Sequence, residues 1–534
     1  MTPPAERGVR ALTYALAILA TPVLHGLSFP PWSLWYLAWI AFVPWFAALR
    51  LASTTPRALL VTCVTTLAGS YAVAGWLPRA LADYWSQPPH IGAALFVGVW
   101  LVTVAPAVIV FTLCYRAAAR RHGASMAVVA GAAWAGTELL RVGLGIGDPL
   151  GLLGYTQAPF SSLVQIADAT GVYGVSFAVA AVNAALAESW LAAGGHARYR
   201  AAGGAVATAF AVVFLCLAYP HLRGKPETDR PPQRIAVAQA NLDLDSQWSE
   251  DLYEKNLTEH LQLTHEALAP RRPALVVWPE GAMTFFFADE PLYRQSIAQV
   301  LAPADVELLA GGVRAEDHAG TRDYFNAAFL LAPTGEVVAH YDEQRALPFA
   351  EYLPFDAIGA PKRELGPLRE FTPGPPTPPL PTRVGAAGVV IGNEAMFPRI
   401  VARRVRDGAE LLVSLSDGSR FGDRQLSLQT LDMARLRAIE QRRDLIRAST
   451  AGPSAIIDAR GEVRGITEPF TRATLAGIVH GRAQRSFYAQ VGDAFAIGCV
   501  IVVVVELGTA LLRLRRPRVP AAPVASPTRK KIGG

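Results

Sequence analysis

Residues 274–280 of this 534-residue chain read ALVVWPE, a short apolar run that ends in Pro and Glu. Such a run predicts a strand that is buried on both faces of a sheet. Runs of the same kind are RIAVAQAN at 234–241, VELLAGGV at 306–313, NAAFLLA at 326–332, VGAAGVVIGNE at 384–394, AELLVSLS at 409–416 and SAIIDA at 454–459. Helical patterns at 250–268 and 424–443 separate several of these runs. Strands that alternate with helices predict an α/β layered domain.

This predicted domain lies between two strongly apolar parts of the chain. Hydrophobic residues make up 52% of the sequence and charged residues only 17%, against a typical charged share of about 25%. Stretches of about 18 or more apolar residues are long enough to cross a bilayer. Eight such stretches are predicted, at roughly 11–29, 32–49, 58–77, 91–115, 123–140, 171–192, 201–219 and 494–512. We therefore divide the chain into 1–220 (seven membrane helices), 221–490 (the α/β domain), 491–516 (a final membrane helix) and 517–534 (a basic tail).

The basic residues that flank these stretches predict the orientation of the chain. Sixteen Lys or Arg residues lie in alternate loops and in the tail, whereas the short loops on the other side carry only Arg79 and Arg141. Both termini are therefore expected in the cytoplasm, and the α/β domain on the opposite, periplasmic face of a bacterial inner membrane. A cleaved signal peptide is the alternative for residues 1–29, but no convincing small-x-small cleavage site ends the run.

Composition also limits the kinds of partner and cofactor. The net charge of +6 resides mostly in the membrane-flanking loops, so no affinity for nucleic acid is inferred from it. The four cysteines, Cys63, Cys114, Cys216 and Cys499, are too few and too scattered for a disulfide framework or a zinc site. We expect no metal and no cofactor.

Acidic residues recur where the predicted strands end. Glu280 follows VVWP, Glu343 follows VVAHYD, and Glu394 follows VVIGN, while Glu351 lies in the FAEYLPF segment. Ligand groups gather at the carboxyl ends of strands in layered α/β domains. A single Glu there is usually only solvated, but four at such positions indicate a site.

Several motifs together resemble the bacterial apolipoprotein N-acyltransferase family. In the α/β domain they are VVWPEGAMT, YDEQRALPFAEYLPF, VVIGNEAMFPRI, LLVSLSDGSRFG and MARLRAIEQRRDLIRASTAGPSAIID; in the membrane part they are LSFPPWSLWYLAWIAFVPWF, GLLGYTQ at 151–157 and GVYGVSF at 171–177. The resemblance covers nearly the whole chain. It implies a membrane bundle of eight helices with a periplasmic, nitrilase-like αββα domain, and phospholipid and lipoprotein as partners.

The family transfers an acyl chain from a phospholipid to a lipoprotein amine, through a thioester on a catalytic Cys. The resemblance places the catalytic Glu of the family on Glu280, which is present. The Lys position falls on Glu343 and the Cys position on Gly392, so two of three catalytic groups are substituted. The resemblance implies substrate-binding roles for Trp248, Glu351, Asn393 and Glu394, although Asn393 stands where the family has Tyr. Arg420 likewise replaces an expected Trp.

Two functional hypotheses follow. In the first, the chain is a pseudoenzyme that binds lipid or lipoprotein without covalent chemistry. In the second, Glu280 and Glu343, or Glu394, act as an acid/base pair on a water molecule. A local shift in the motif placement cannot restore the nucleophile, because residues 221–490 contain no Cys, although Lys362 in the Pro- and Gly-rich loop at 361–383 could reach the site. We favour the first hypothesis. The sequence leaves open the oligomeric state and any active paralogue as a partner.

Overall fold

The computed structural model describes residues 4–144, 147–192, 196–224, 226–242, 253–268, 272–286, 290–318, 321–346, 371–419 and 423–515. Helices form the part before residue 224. Their bounds are α1 Pro4–Leu27, α2 Ala38–Ala41, α3 Val43–Leu51, α4 Thr55–Val73, α5 Leu77–Tyr84, α6 Pro89–Thr103, α7 Ala105–Ala117, α8 Ala124–Gly143, α9 Ser161–Val164, α10 Ala167–Thr170, α11 Val172–Leu191 and α12 His196–Arg223, with 3-10 turns at Trp35–Leu37 and Leu153–Gln157.

Within the described part, four helical segments are long and apolar enough to cross a membrane. They are Gly8–Leu27, Val172–Leu191, Gly203–Arg223 and Ala494–Arg515. Two bent pairs, α4 with α5 and α6 with α7, raise the number to six if each pair is one span. The eight predicted spans are therefore not confirmed. The predicted stretch at 32–49 becomes a shorter apolar helical segment, Trp35–Leu51, and the stretch at 123–140 becomes α8.

Helix α8 lies among other helices and is buried along most of its length. Its small residues let neighbours approach closely: a Cβ built on Gly136 would lie 3.0 Å from the backbone of Cys499, and one on Gly131 would lie 2.8 Å from the carbonyl oxygen of Phe177. Small residues are typical of such helix contacts in membranes. Helix α8 therefore faces protein over most of its surface.

The α/β domain contains two sheets. The strands are β1 Gln233–Gln239, β2 Leu275–Val277, β3 Met283–Phe286, β4 Glu307–His318, β5 Thr321–Leu331, β6 Val337–Asp342, β7 Leu380–Thr382, β8 Gly385–Ile391, β9 Leu411–Ser416, β10 Leu445–Ser449, β11 Ala455–Ile457, β12 Val463–Ile466 and β13 Ala473–Val479. One sheet has the order β13-β1-β2-β4-β5-β6, with β3 beside β4, and the other has the order β12-β11-β10-β9-β8-β7.

Helices cover the outer faces of both sheets. The bounds of these and the following elements are α13 Tyr253–Leu268, α14 Pro291–Leu301, α15 Pro398–Arg406, α16 Arg424–Gln441, α17 Phe487–Val491 and α18 Ala494–Arg515, with 3-10 turns at Ala302–Ala304 and Gly392–Met396. Leu257 of α13 and Ile297 of α14 pack against the first sheet, and Val401 of α15 and Ala434 of α16 pack against the second. The two sheets bury a shared core between them, so the layers are α, β, β, α as predicted.

All seven predicted strand runs coincide with strands, and both predicted helices coincide with α13 and α16 within the described residues. The strands that sequence analysis missed are β3, β7, β10, β12 and β13, while β6 was recognised only as the strand end VVAHYD before Glu343. Strands β12 and β13 alternate between half-buried and exposed residues. They lie at sheet edges, and an edge strand does not form the continuous apolar run that identified the others.

Helix α16 is buried on its polar face as well as its apolar face. Met433, Leu436 and Ile439 pack among residues of the membrane-helix region. Arg437 and Glu440 are also fully buried, and an Arg437 Nη2 to Glu440 Oε1 contact of 2.9 Å joins them. Glu440 also accepts a hydrogen bond of 2.8 Å from the backbone N–H of Val172, the first residue of α11.

Replacement of Arg437 by Met should destabilise the protein by about 3–5 kcal/mol, because it leaves the buried Glu440 carboxylate without its partner. Thermal unfolding of the full chain in mild detergent measures the effect. Arg424→Met at the exposed start of the same helix is the control, with an expected change within about 0.5 kcal/mol. Equal effects of the two substitutions would contradict a role for the buried pair.

The buried pair Arg437 and Glu440 predicts that the stability of the fold depends on pH. Burial raises the pKa of Glu440 from 4.5 to about 7, although Arg437 opposes the shift. The folded state therefore holds this proton more tightly than the unfolded state, and Glu440 contributes stability that is lost as pH rises from about 4.5 to about 7. Without Arg437 the pKa rises further, so the stability deficit of Arg437→Met should grow above pH 7. A deficit that is constant from pH 5 to pH 8.5 would contradict this prediction.

Candidate functional site

The structure brings together the ends of three strands. Glu280 follows β2, Glu343 follows β6, and Gly392 follows β8. A Cβ built on Gly392 would lie 3.5 Å from both carboxylate oxygens of Glu280 and 3.4 Å from Oε1 of Glu343. The three positions that the sequence singled out as a catalytic set therefore share one site.

Asn326 completes this site, and sequence analysis missed it. Its Nδ2 donates hydrogen bonds of 2.9 Å to Oε1 of Glu280 and of 2.9 Å to Oε2 of Glu343. The backbone N–H of Glu343 also donates to the carbonyl oxygen of Asn326, at 2.8 Å. Asn326 begins the predicted run NAAFLLA, where a polar residue next to a buried strand was the only available signal.

Burial and close backbone contacts hold Glu280 in place. Glu280 is 9% exposed and Glu343 is 3% exposed. The hydroxyl of Thr450 donates to the carbonyl oxygen of Glu280 at 3.0 Å. Gly311 on β4 passes so close that a Cβ there would lie 2.4 Å from the carbonyl oxygen of Pro279. Two carboxylates this close together, with little solvent around them, repel each other.

Gly392 begins a 3-10 turn and has a φ of +55°, in the left-handed region. Glu394 holds this turn: it accepts hydrogen bonds from the backbone N–H groups of Ile391 (2.9 Å) and Gln344 (2.7 Å) and from the hydroxyl of Tyr341 (2.9 Å). Burial raises the pKa of Glu394 to about 7, and these hydrogen bonds oppose the shift. Glu394 thereby ties the turn to the segment that carries Glu343.

Of the other residues predicted for the site, the structure describes Asn393 only. Asn393 is buried beside Gly392, and its Oδ1 has no hydrogen-bond partner among the described residues. Trp248, Glu351, Lys362 and Arg420 lie outside the described residues. Among the described residues, no group of three His, Cys, Asp or Glu side chains could hold a metal ion.

All four cysteines lie in helices outside the α/β domain. Cys63 is in α4, Cys114 in α7, Cys216 in α12 and Cys499 in α18, and the sequence from 221 to 490 contains none. The site at the strand ends therefore has no thiol.

A cavity of about 130 Å³ lies among the helices of the membrane part. Its walls are mostly apolar and aromatic, and they include Phe42, Phe96, Trp100, Phe111 and Trp134. Four of its buried polar atoms have no hydrogen-bond partner among the described residues: Thr21 Oγ1, His25 Nε2, Trp100 Nε1 and Glu138 Oε2.

The rim of this cavity lies close to the α/β domain. Asp148 and Gly151 line the cavity, and Asp148 forms an ion pair of 3.0 Å with Arg141. A Cβ built on the neighbouring Gly147 would lie 2.7 Å from Nη2 of Arg345, two residues after Glu343. Residues 147–151 thus connect the cavity to the segment that carries Glu343 and Arg345.

Two sequence profiles match the chain. That of the apolipoprotein N-acyltransferase N-terminal domain covers residues 22–185, and that of carbon-nitrogen hydrolases covers residues 234–483. Among solved structures, the NitFhit protein of C. elegans has a TM-score of 0.38 and 18% identity over 53% of this chain and 65% of its own. A carbon-nitrogen hydrolase from Helicobacter pylori has a TM-score of 0.36 and 17% identity over 54% and 95%.

Three proteins similar in sequence to this chain are all apolipoprotein N-acyltransferases by name. The apolipoprotein N-acyltransferase of Ralstonia nicotianae is 29% identical over 92% of both chains, and that of Caulobacter vibrioides is 29% identical over 73% of this chain and 74% of its own. The apolipoprotein N-acyltransferase of Geobacter metallireducens is 33% identical over 94% of this chain and 95% of its own. With this identity over almost the full length, the chain belongs to the apolipoprotein N-acyltransferase family.

Proposed function

We propose that this chain is a membrane-embedded pseudoenzyme of its family, which binds phospholipid or lipoprotein and does not perform thioester transfer. One observation carries the proposal. The position from which a catalytic thiol would face Glu280 is Gly392, and the neighbouring position expected to hold Lys is Glu343.

Acyl transfer through a thioester needs a sulfur nucleophile, a base for its proton and a donor for the oxyanion. Glu280 supplies only the base. Gly392 has no side chain, and the carboxylate of Glu343 repels a developing oxyanion. Loss of one oxyanion donor alone costs about 3–4 kcal/mol. The sequence of the α/β domain offers no substitute thiol, and Lys255 lies on the exposed side of α13.

The cavity in the membrane part supports a retained binding function. Its apolar walls suit acyl chains, and the buried atoms of Thr21, Trp100 and Glu138 suit the polar groups of an amphipathic ligand. A polar atom left unpaired in a buried site costs about 1–3 kcal/mol, which a ligand or water recovers. A lipid that enters this cavity reaches the segment next to Arg345 and Glu343.

We further propose that the chain crosses a bacterial inner membrane eight times, with the α/β domain in the periplasm. Helix α8 and the segment Trp35–Leu51 would complete the set of candidate spans. A helix as buried as α8 needs less apolar surface than one that faces lipid. The distribution of Lys and Arg among the connecting loops supports the orientation.

In a bacterial strain depleted of its own apolipoprotein N-acyltransferase, we expect the unaltered protein to leave lipoproteins without the N-acyl chain. We expect the double variant Gly392→Cys, Glu343→Lys to restore some N-acylation. A Cβ at residue 392 meets no atom closer than 3.4 Å, although the positive φ makes it less stable by about 1–2 kcal/mol. Mass spectrometry of a purified lipoprotein measures the product.

Gly392→Ser, Glu343→Lys is the matched control for this experiment. It adds a side chain of similar size without a thiol, so it should remain inactive. N-acylated lipoprotein from the unaltered chain would show that the pseudoenzyme proposal is wrong.

The second candidate function is thiol-independent acid/base catalysis by Glu280 and Glu343. The bridge from Asn326 Nδ2 to both carboxylates favours it, because it holds a possible acid and base beside one open position at residue 392. In that mechanism one carboxylate accepts a proton from water while the other, protonated, donates to the leaving group.

Hydrolysis assays with phospholipid and with N-acylated lipopeptide distinguish the two functions. We expect no turnover above the detergent blank. If turnover occurs, and Glu280→Gln lowers it by about 10²–10⁴-fold while Glu336→Gln on the exposed β5–β6 turn does not, acid/base catalysis is the function and the pseudoenzyme proposal fails.

A further inference from the structure

One face of α15 carries three arginines. Arg399, Arg403 and Arg406 are four and three residues apart, so they lie on the same side of the helix, and all three are exposed. The side chains of Arg399 and Arg403 are 60% and 51% exposed. A fourth exposed arginine, Arg485, donates from Nη2 to the carbonyl oxygen of Arg406 at 2.7 Å. We call these four residues the arginine patch.

The arginine patch has an excess of positive charge. Arg399 forms an ion pair with Asp493, and Arg403 lies 3.9 Å from Asp407. Across the described residues, the guanidinium groups of Arg406 and Arg485 have no ion-pair partner. Two positive charges on this surface are therefore uncompensated.

The arginine patch lies beside the start of the final candidate span. Asp493, the partner of Arg399, immediately precedes Ala494, where α18 begins. A Cβ built on Gly492 would lie 3.8 Å from Nη1 of Arg406. These contacts place the patch at the end of α18 where the chain leaves the α/β domain.

Exposed apolar side chains join the patch to the span. Phe487 and Val491 of α17 are 54% and 41% exposed, and Arg485 lies two residues before Phe487. In α18, Ile497 and Ile501 continue the exposed apolar surface. Exposed apolar and aromatic residues that adjoin arginines at the end of a membrane helix are typical of the lipid–water interface.

We propose that the arginine patch binds the headgroup of an anionic phospholipid, in the leaflet that faces the α/β domain. The planar guanidinium group donates two parallel hydrogen bonds to phosphate oxygens, and an extra negative charge on the lipid offsets the uncompensated charge of Arg406 and Arg485. Phe487 and Val491 lie against the acyl chains next to that headgroup. This surface is separate from the site at Glu280 and Gly392. The proposal rests on the proposed membrane topology and is independent of the pseudoenzyme proposal.

Native mass spectrometry of the full-length protein in mild detergent tests the proposal. The protein is mixed with equal amounts of phosphatidylglycerol and phosphatidylcholine that carry identical acyl chains, and the ratio of the two bound lipids is measured. We expect a preference for phosphatidylglycerol that weakens as salt rises. Each basic residue at a membrane surface strengthens anionic lipid binding about fivefold, so Arg406→Gln, Arg485→Gln should lower the preference about 25-fold.

The control variant is Arg234→Gln, Arg272→Gln. It removes the same charge from exposed arginines at the amino ends of β1 and β2, and it should keep the preference of the unaltered protein. Equal binding of the two lipids by the unaltered protein would overturn the proposal. So would an unchanged preference in the Arg406→Gln, Arg485→Gln variant, or an equal loss in the control variant. Thermal unfolding of both variants verifies that they are folded.

Discussion

The burial of a polar helix between two differently built regions determines the rest of this structure. Helix α16 packs on a sheet with one side and on the membrane helices with the other, so Arg437 and Glu440 have no access to water. Glu440 binds Arg437 and the N-terminus of α11, while Gln425 and Gln429 both donate to the carbonyl oxygen of Val73 at the end of α4. A shift of the α/β domain would leave these groups unpaired in a medium that cannot solvate them. Hydrogen bonds as well as packing therefore fix the α/β domain, and with it the strand ends, relative to the membrane part.

The sequence indicated the site residues that follow strand ends. It did not indicate a site residue that lies within a strand. Glu280 and Glu343 were recognisable as acidic residues that follow predicted strand ends, and Gly392 was recognisable through the family resemblance. Asn326 was missed, because its role depends on the β5–β6 register, which no local pattern encodes. The eight predicted spans are not confirmed, because four helices, or six if each bent pair is one span, are long and apolar enough. Composition does not reveal which helices are broken, as α4 and α5 are.

The family relationship and the site chemistry carry different information. Identity over almost the full length places the chain in its family. The sequence resemblance puts the family's catalytic Lys and Cys at Glu343 and Gly392, which have neither an amine nor a thiol. Much of the frame around that chemistry is in place: the Glu280 carboxylate, the turn at Gly392 and the buried Glu394 that holds the turn. A frame of this kind is compatible with a binding protein, because recognition of a ligand needs shape and polar contacts but no nucleophile.

The space around Gly392 affects which mutations could convert this site. Backbone and neighbouring atoms leave room for a side-chain carbon there, and the two carboxylates already face it. In the genetic code, glycine and cysteine have codons that differ by a single base, and so do glutamate and lysine. The site as it stands and its Gly392→Cys, Glu343→Lys form are therefore close neighbours in nucleotide sequence. A side chain at the positive φ of residue 392 costs about 1–2 kcal/mol, against a stability of about 5–15 kcal/mol for a folded domain.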